Sequence, residues 1–276
     1  MLPLRPDPKS IVLCADDYAL NESVSQGIVD LASRQRLSAT SVMTLSPLWP
    51  QHAPALGELR GAIDVGLHLD WTSEFAQHAG WGQTLGAVMW RSFSGGFEPE
   101  RVREALERQF DAFEKAWQGP PDHVDGHQHI QQFDGLRQML CELLLRRYGS
   151  SSQKPWLRIS HATKAGFKGV LISWTGAKSL EDWAQAENWP VVAPLLGVYG
   201  FEGTVDAYAR RMQEWLSEAS QLQTTALVMC HPARQAAAGD TIGNARANEF
   251  AYLSSDAFTA DLQLANVQLV RGNATN

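Results

Sequence analysis

From one end of this chain to the other, short apolar runs prone to β-structure alternate with stripes of apolar residues at helical spacing. Ile11-Val12-Leu13-Cys14 breaks abruptly into Ala15-Asp16-Asp17, the pattern of a buried strand reaching a polar end. Behind it, Asn21 is placed to cap a helix whose inner face carries Val24, Ile28, Leu31 and Ala32. Ser41 to Leu45, Ile63 to Leu69 and Asp122 to His127 read as the next strands, followed by Trp156 to Ser160, Ala226 to Cys230 and Val267 to Val270. Helical stripes lie between them: Val102, Leu106, Phe110, Phe113 and Trp117; Leu136, Leu140, Leu143 and Leu144; Val205, Tyr208, Met212, Trp215 and Ala219; and a last one around Phe258 and Leu262. Strands that recur only after an intervening helix must run parallel, so the chain predicts an α/β fold with a parallel sheet closed, or nearly closed, into a barrel.

A barrel needs a long chain, and 276 residues are ordinary for one such unit, so residues 1–276 are expected to form a single domain. No linker interrupts them, but residues 71–98 hold Trp71, Trp81, Trp90, Phe93 and Phe97 without a clean period and read as a loop excursion. The roughly fifty residues after Ser160 alternate short apolar runs with Gly and Pro and assign poorly. A net charge of -7 removes the broad basic footprint that phosphate backbones and anionic lipids require, which argues against nucleic acid and membrane as partners. There is no uncharged apolar stretch of about 18 residues, and MLPLRPDPKS lacks the apolar core of a secretory signal, so a cytoplasmic protein without membrane insertion is expected. Cys14, Cys141 and Cys230 are too few and scattered for a disulfide framework and read as buried thiols.

The chemistry collects at strand ends. Asp16 and Asp17, His68, the cluster from Asp125 to His129, and His231 each fall at or just past the C-terminal end of an expected strand, the end at which β/α barrels build their sites. Adjacent side chains on a strand face opposite ways, so Asp16 and Asp17 reach one site only where the chain leaves the strand. There one carboxylate can bind a metal while the other takes a proton from water. His127 and His129 face the same way if the chain stays extended; if it turns, only one reaches a metal. Asp125 is placed to orient a ligand histidine through its second ring nitrogen, whereas His123 reads as a structural or surface residue. His231 suits a general acid, on the far side of the scissile bond from the base. Arg158, inside an apolar run, is costly to bury unpaired, and Asp16 is its expected partner.

These residues lie in the segments IVLCADDYALNESVSQGI, GLHL, HVDGHQH, LRIS and VMCHPA, taken in order from Ile11 onward. In that order the chain resembles the YdjC-like family of carbohydrate deacetylases, which includes chitooligosaccharide deacetylases and hopanoid-associated relatives. The resemblance implies a distorted β/α (TIM-like) barrel of seven or eight strands in which Asp17, His68 and His127 bind one divalent metal ion, Mg or Zn. It also implies Asp16 as general base, His231 as general acid, and Arg158 holding Asp16. Two departures stand out. An Ala19 follows Tyr18 where the family has glycine, which implies a backbone that does not need positive φ. Gln128 and Gln131 stand where histidines are common, which bears on substrate contacts more than on the metal.

The expected reaction is hydrolysis of the N-acetyl group of an acetylated amino sugar or chitooligosaccharide-like substrate, giving acetate and a free amine. A metal hydrolase of another amide or ester, and a non-catalytic sugar-binding protein, are the alternatives. Asp125, His129 and Trp71 are candidates for substrate contact or ligand support. Trp71, nearest His68, is the leading aromatic for stacking on a sugar ring, and the other aromatics of the excursion can pack it or a homodimer contact.

Overall fold

The computed structural model describes residues 7–161 and 176–274. Its elements are β1 (Lys9–Tyr18), α1 (Glu22–Ser33), β2 (Ala39–Val42), α2 (Trp49–Gly57), β3 (Asp64–Leu69), α3 (Glu74–His78), α4 (Leu85–Ser94), α5 (Pro99–Trp117), β4 (His123–Gly126), α6 (Leu136–Tyr148) and β5 (Trp156–Arg158). There follow α7 (Ala177–Ala186), β6 (Val191–Val192), β7 (Leu195–Leu196), α8 (Val205–Ala219), β8 (Ala226–Cys230), α9 (Gly243–Leu253), α10 (Asp256–Ala265) and β9 (Val267–Leu269).

All pairings are parallel, in the order β6-β5-β4-β3-β2-β1-β8-β7, with β9 added alongside the start of β1. The first and last strands of that order, β6 and β7, are separated in sequence only by Ala193-Pro194. The sheet therefore curls until its two ends meet in one short stretch of chain, and the result is a distorted TIM-like barrel.

Strand alternation divides the residues between two environments. Ile11, Leu13 and Ala15 of β1, Val65, Leu67 and Leu69 of β3 and Leu157 of β5 join the main core with the helices. The alternate positions face inward. At the base of the barrel Val12, Ala39, Trp156, Val192, Leu195 and Leu227 form a small apolar cluster. One step up each strand the inner positions become Cys14, Ser41, Gly66, His123 and Arg158; a further step reaches Asp16, His68 and Asp125. An apolar floor thus supports a polar interior that opens toward the C-terminal ends of the strands, as the sequence implied.

Gly66 belongs to this interior for a steric reason. A Cβ on it would lie 2.3 Å from ring atoms of His123, which is stacked on Trp156 with ring centroids 4.1 Å apart. His123 is fully buried and holds Ser41 Oγ at 2.9 Å through Nε2, so of the two expected roles, structural or surface, it takes the structural one.

Several local expectations shift. The second strand is Ala39–Val42 rather than 41–45. The excursion after β3 is not a bare loop: Ser73 and Thr84 cap α3 and α4. The helices α2 and α9 carry no apolar stripe clear enough to have been read from sequence, whereas α7 buries Ala177, Leu180 and Ala184 at helical spacing and went unread within the stretch that assigned poorly. Part of the stretch after Ser160 lies outside the described residues; the remainder supplies α7, β6 and β7. Cys14, Cys141 and Cys230 are free and buried, as expected. No helix among the described residues is long and apolar enough to cross a membrane.

Candidate metal centre

The site begins with a break in β1. The pairing of β1 with β2 slips between Ala15 and Tyr18, and Asp17 has φ 70°, in the left-handed region. This bulge re-aims one residue so that two consecutive carboxylates serve the same end of the barrel. Ala19 also has φ 72°. The expectation that alanine marks a backbone without positive φ is therefore wrong: surrounding contacts impose the conformation. Ala19 N–H donates to Ser25 Oγ at 3.1 Å, its carbonyl accepts from Ser46 Oγ at 2.6 Å, and Met43 N–H holds the Tyr18 carbonyl at 2.9 Å.

Asp17, His68 and His127 converge. Asp17 Oδ1 lies 3.1 Å from His127 Nδ1 and 3.4 Å from His68 Nε2, and one donor atom from each residue falls within 4.8 Å of the others. His68 Nδ1 is 2.6 Å from Asp125 Oδ1, which orients the ring so that Nε2 faces Asp17. Asp17 and His68 are 1% and 2% exposed, whereas the His127 side chain is 24% exposed, so the trio opens on the His127 side. After His127 the chain turns, with Gln128 and His129 at φ 56° and 62°. The turn separates His129 from the trio: its Nδ1 lies 3.0 Å from Ser160 Oγ, and burial followed by Arg158 pushes it down to about 3.

Asp16 stands beside this trio. Arg158 holds it as a fork, Nη1 to Oδ2 at 2.7 Å and Nη2 to Oδ1 at 2.6 Å, and also reaches Asp125 at 2.5 Å. Burial opposes the charge on Asp16, and Arg158 overcomes that penalty and keeps the carboxyl below its usual range. His231 Nε2 is 3.8 Å from Asp16 Oδ2. The expected general base and general acid are therefore neighbours at one edge of the trio. Burial holds His231 down to about 4 against the pull of Asp16 and Asp17.

Two residues at the site went unread in the sequence. Arg246 Nη2 binds Asp17 Oδ2 at 2.7 Å while its Nε holds Asp240 at 2.8 Å. Burial raises Asp17, but Arg246 and then His127 hold it well below the carboxylate range. Glu249, fully buried, accepts from the backbone N–H of His231 and from Tyr199 Oη. Both sit on the inner face of α9, where the only signal was a helix with charged residues turned inward, the reverse of the pattern that marks helices.

The donor set fits a divalent cation. A carboxylate oxygen and two imidazole nitrogens are a recurrent ligand set for zinc and related ions, with further positions free. The charge balance agrees. Asp16, Asp17 and Asp125 bring three negative charges into the interior, against Arg158 and Arg246. The surplus is felt by His68: burial lowers it, yet Asp125 and the other two acids lift it to about 10. Two other groupings, Cys14 with His123 and Asp125, and Asp16 with His68 and Asp125, are also compact. Both include Asp125, and Arg158 bonds directly to Cys14, Asp16 and Asp125; a guanidinium in their midst disfavours a second cation.

Trp71 is 2% exposed and packs 6.1 Å from Trp81, so it anchors the excursion to the core and presents no face to a sugar. The exposed aromatics of the excursion are Trp90 and Phe93 on α4, 68% and 87% exposed.

Fold and site together define a distorted β/α barrel in which a carboxylate and two histidines that could hold a metal ion gather at the C-terminal end of the strands. The model of the YdjC-like protein family matches residues 10–264, and the chain belongs to that family. It is 27% identical over 188 residues to a chitooligosaccharide deacetylase of Serratia marcescens, covering 60% of this chain and 72% of that one. The corresponding protein of Yersinia pestis is 27% identical over 184 residues, with the same shares covered. Among solved structures, a protein of Enterococcus faecalis assigned provisionally to cellobiose-phosphate cleavage superposes with TM-score 0.71 at 18% identity, over 97% of this chain and 99% of its own. An uncharacterized protein of Agrobacterium tumefaciens superposes with TM-score 0.61 at 11% identity, over 98% and 90%. At those identities the structures attest the fold alone.

Proposed function

We propose that this protein is a metal-dependent carbohydrate N-deacetylase that hydrolyses the acetamide of an acetylated amino sugar, in particular a chitooligosaccharide-like substrate. The observation that carries the reading is the convergence of Asp17, His68 and His127 within 4.8 Å, with Asp16 and His231 side by side at its edge. The names of the relatives support the substrate class.

In this reading Asp17, His68 and His127 hold one divalent ion, Zn or Mg. When bound, such an ion polarises an acyl oxygen and makes water more acidic. Asp125 keeps a proton on His68 Nδ1 and thereby leaves Nε2 as the ligand. Asp16, ionised at neutral pH because Arg158 sits on it, takes a proton from the attacking water. Held this way it is a weak base, suited to a water whose acidity has already been raised.

His231 is neutral at neutral pH, so the proton it gives to the leaving amine must be acquired during the cycle. Asp16, 3.8 Å away, is the nearest source. The adjacency of the two thus has a chemical use: the proton taken from water moves a short distance before it reaches the nitrogen as the C–N bond breaks. Acetate and the free amine leave, and both side chains return to their starting states.

The test is acetate release from N-acetylglucosamine and its oligomers, using protein stripped of metal and then reloaded with Zn, Mg or nothing. Release restored by an ion and absent without one is expected. Metal-independent release, or none from any acetylated sugar under any loading, would overturn the reading.

A further inference from the structure

The histidine assigned as general acid lacks the usual support. A catalytic imidazole is commonly held by a carboxylate on its second ring nitrogen, but His231 Nδ1 is buried without a hydrogen-bond partner among the described residues. Beyond the approach of Nε2 to Asp16, two contacts hold the residue, one to its main chain and one to its ring. The backbone N–H of His231 donates to Glu249 Oε2, and the Phe201 ring meets the imidazole edge to face, with centroids 5.1 Å apart at 85°.

Glu249 stands at the junction of both contacts. Its other oxygen accepts from Tyr199 Oη at 2.5 Å, and the Tyr199 ring lies 4.8 Å from Phe201, the residue that flanks His231. The loop after β8 is tied to the same helix a second time, where Ala233 N–H donates to the Arg246 carbonyl at 3.1 Å. Glu249 is 0% exposed and its carboxyl is pushed up to about 7 by burial, despite the bonds from Tyr199 and His231. Glutamate is an expensive way to fill that space, since leucine or methionine would pack it without a buried acid. Its two acceptor oxygens are used on the two routes to one side chain.

We infer that Glu249 is a positioning residue for the general acid: through the His231 amide and the Tyr199–Phe201 pair it fixes where His231 Nε2 stands relative to Asp16 and the departing nitrogen. The inference rests on the deacetylase reading, with His231 as acid. The geometry also explains why α9 turns two charged residues inward. Arg246 steadies Asp17 and, one turn on, Glu249 steadies His231, so a single helix sets the spacing between the metal side and the acid side of the site.

The experiment compares Glu249→Gln, Glu249→Ala, Tyr199→Phe and His231→Ala as full-length, metal-loaded proteins. Two acyl substrates are used: an N-acetylated chitooligosaccharide, whose amine must be protonated to leave, and p-nitrophenyl acetate, whose phenolate leaves without a proton. Metal content and melting temperature are measured alongside. Glu249→Ala is expected to lower kcat on the amide about 100-fold with KM little changed, the scale set by an ångström of misplacement. The loss on the activated ester is expected to be far smaller, with metal still stoichiometric. Glu249→Gln, which keeps an acceptor, should recover most of the activity, and Tyr199→Phe should fall between. In the double variant Glu249→Ala/His231→Ala the losses should not multiply, because both act through the same ring.

Equal losses on amide and ester, or multiplicative losses in the double variant, would show that Glu249 only supports the fold and would overturn the inference. If Glu249→Ala does not fold, Glu249→Gln and Tyr199→Phe still decide by the amide-to-ester ratio: a ratio unchanged in both overturns it. If His231→Ala keeps full amide activity, the role of His231 fails, and with it the functional reading on which this inference stands.

Discussion

Gly66→Ala tests the barrel interior more sharply than any catalytic substitution. The new Cβ would sit 2.3 Å from Cγ, Cδ2 and Nε2 of His123, where carbon contacts are comfortable at about 3.5–4.0 Å. The ring would have to retreat by more than about 1 Å. It has nowhere to go: Trp156 lies against its other face at 4.1 Å, and Trp156 is itself tied through Nε1 to Asp64 at 3.0 Å. Overpacking of this kind costs about 1–3 kcal/mol, and a ring held on both faces argues for the upper end. Because β3 carries His68 two residues on, and β4 carries Asp125 two residues beyond His123, parting the strands also disturbs the 2.6 Å bond that orients His68. Metal affinity should fall about 10- to 100-fold. Urea unfolding and calorimetric metal titration measure the two effects. The decisive control is His123→Ala, in which the added methyl meets open space: there the cost of Gly66→Ala should largely vanish. An equal cost in both backgrounds would refute the account of why this position is glycine.

Other outcomes follow from the same geometry. Asp16→Asn should reduce turnover by at least about 100-fold while a stoichiometric metal remains, whereas His127→Ala should lose the metal as well; both are read by elemental analysis beside acetate release. Arg158→Met should destabilise the protein by about 3–5 kcal/mol in urea, because it strands two buried carboxylates, Asp16 and Asp125; a cost below about 1 kcal/mol would contradict the pairing. Acid should destabilise the fold through His123, whose value is lowered by burial from 6.5 to about 4. The unfolded chain then binds the extra proton first, so this contribution is complete above pH 6.5 and is lost as pH falls toward 4. Its full size is about 3 kcal/mol. Urea midpoints between pH 7 and 4.5 should drop more steeply for the native chain than for His123→Asn, and identical slopes would rule the histidine out as the cause.

The alternation of strand and helix, the parallel sheet and the collection of acids and histidines at strand ends were all legible in the sequence, because each is a local pattern. Apolar periodicity reports which face of an element is buried, and a polar residue just past an apolar run reports where a strand stops. Even the pairing of Arg158 with Asp16 could be reasoned out, since an arginine inside an apolar run has to find an acid.

Tertiary structure decided what periodicity does not encode. The bulge at Asp17 and the left-handed Ala19 arise from contacts with Ser25, Ser46 and Met43, residues that are remote along the chain or lie beyond the next helix start. The turn after His127 placed that residue beside Asp17 and His68 and took His129 toward Ser160. The excursion's own helices buried Trp71, whose nearness to His68 in sequence had suggested exposure. Arg246 and Glu249 escaped notice because α9 turns charge inward, and a helix recognised by its apolar stripe is invisible when its buried face is ionic. The sequence determined which groups can react and at which end of the barrel they gather; only the folded chain determined which of them touch, because backbone turns and buried charge pairs are fixed by partners far away in sequence.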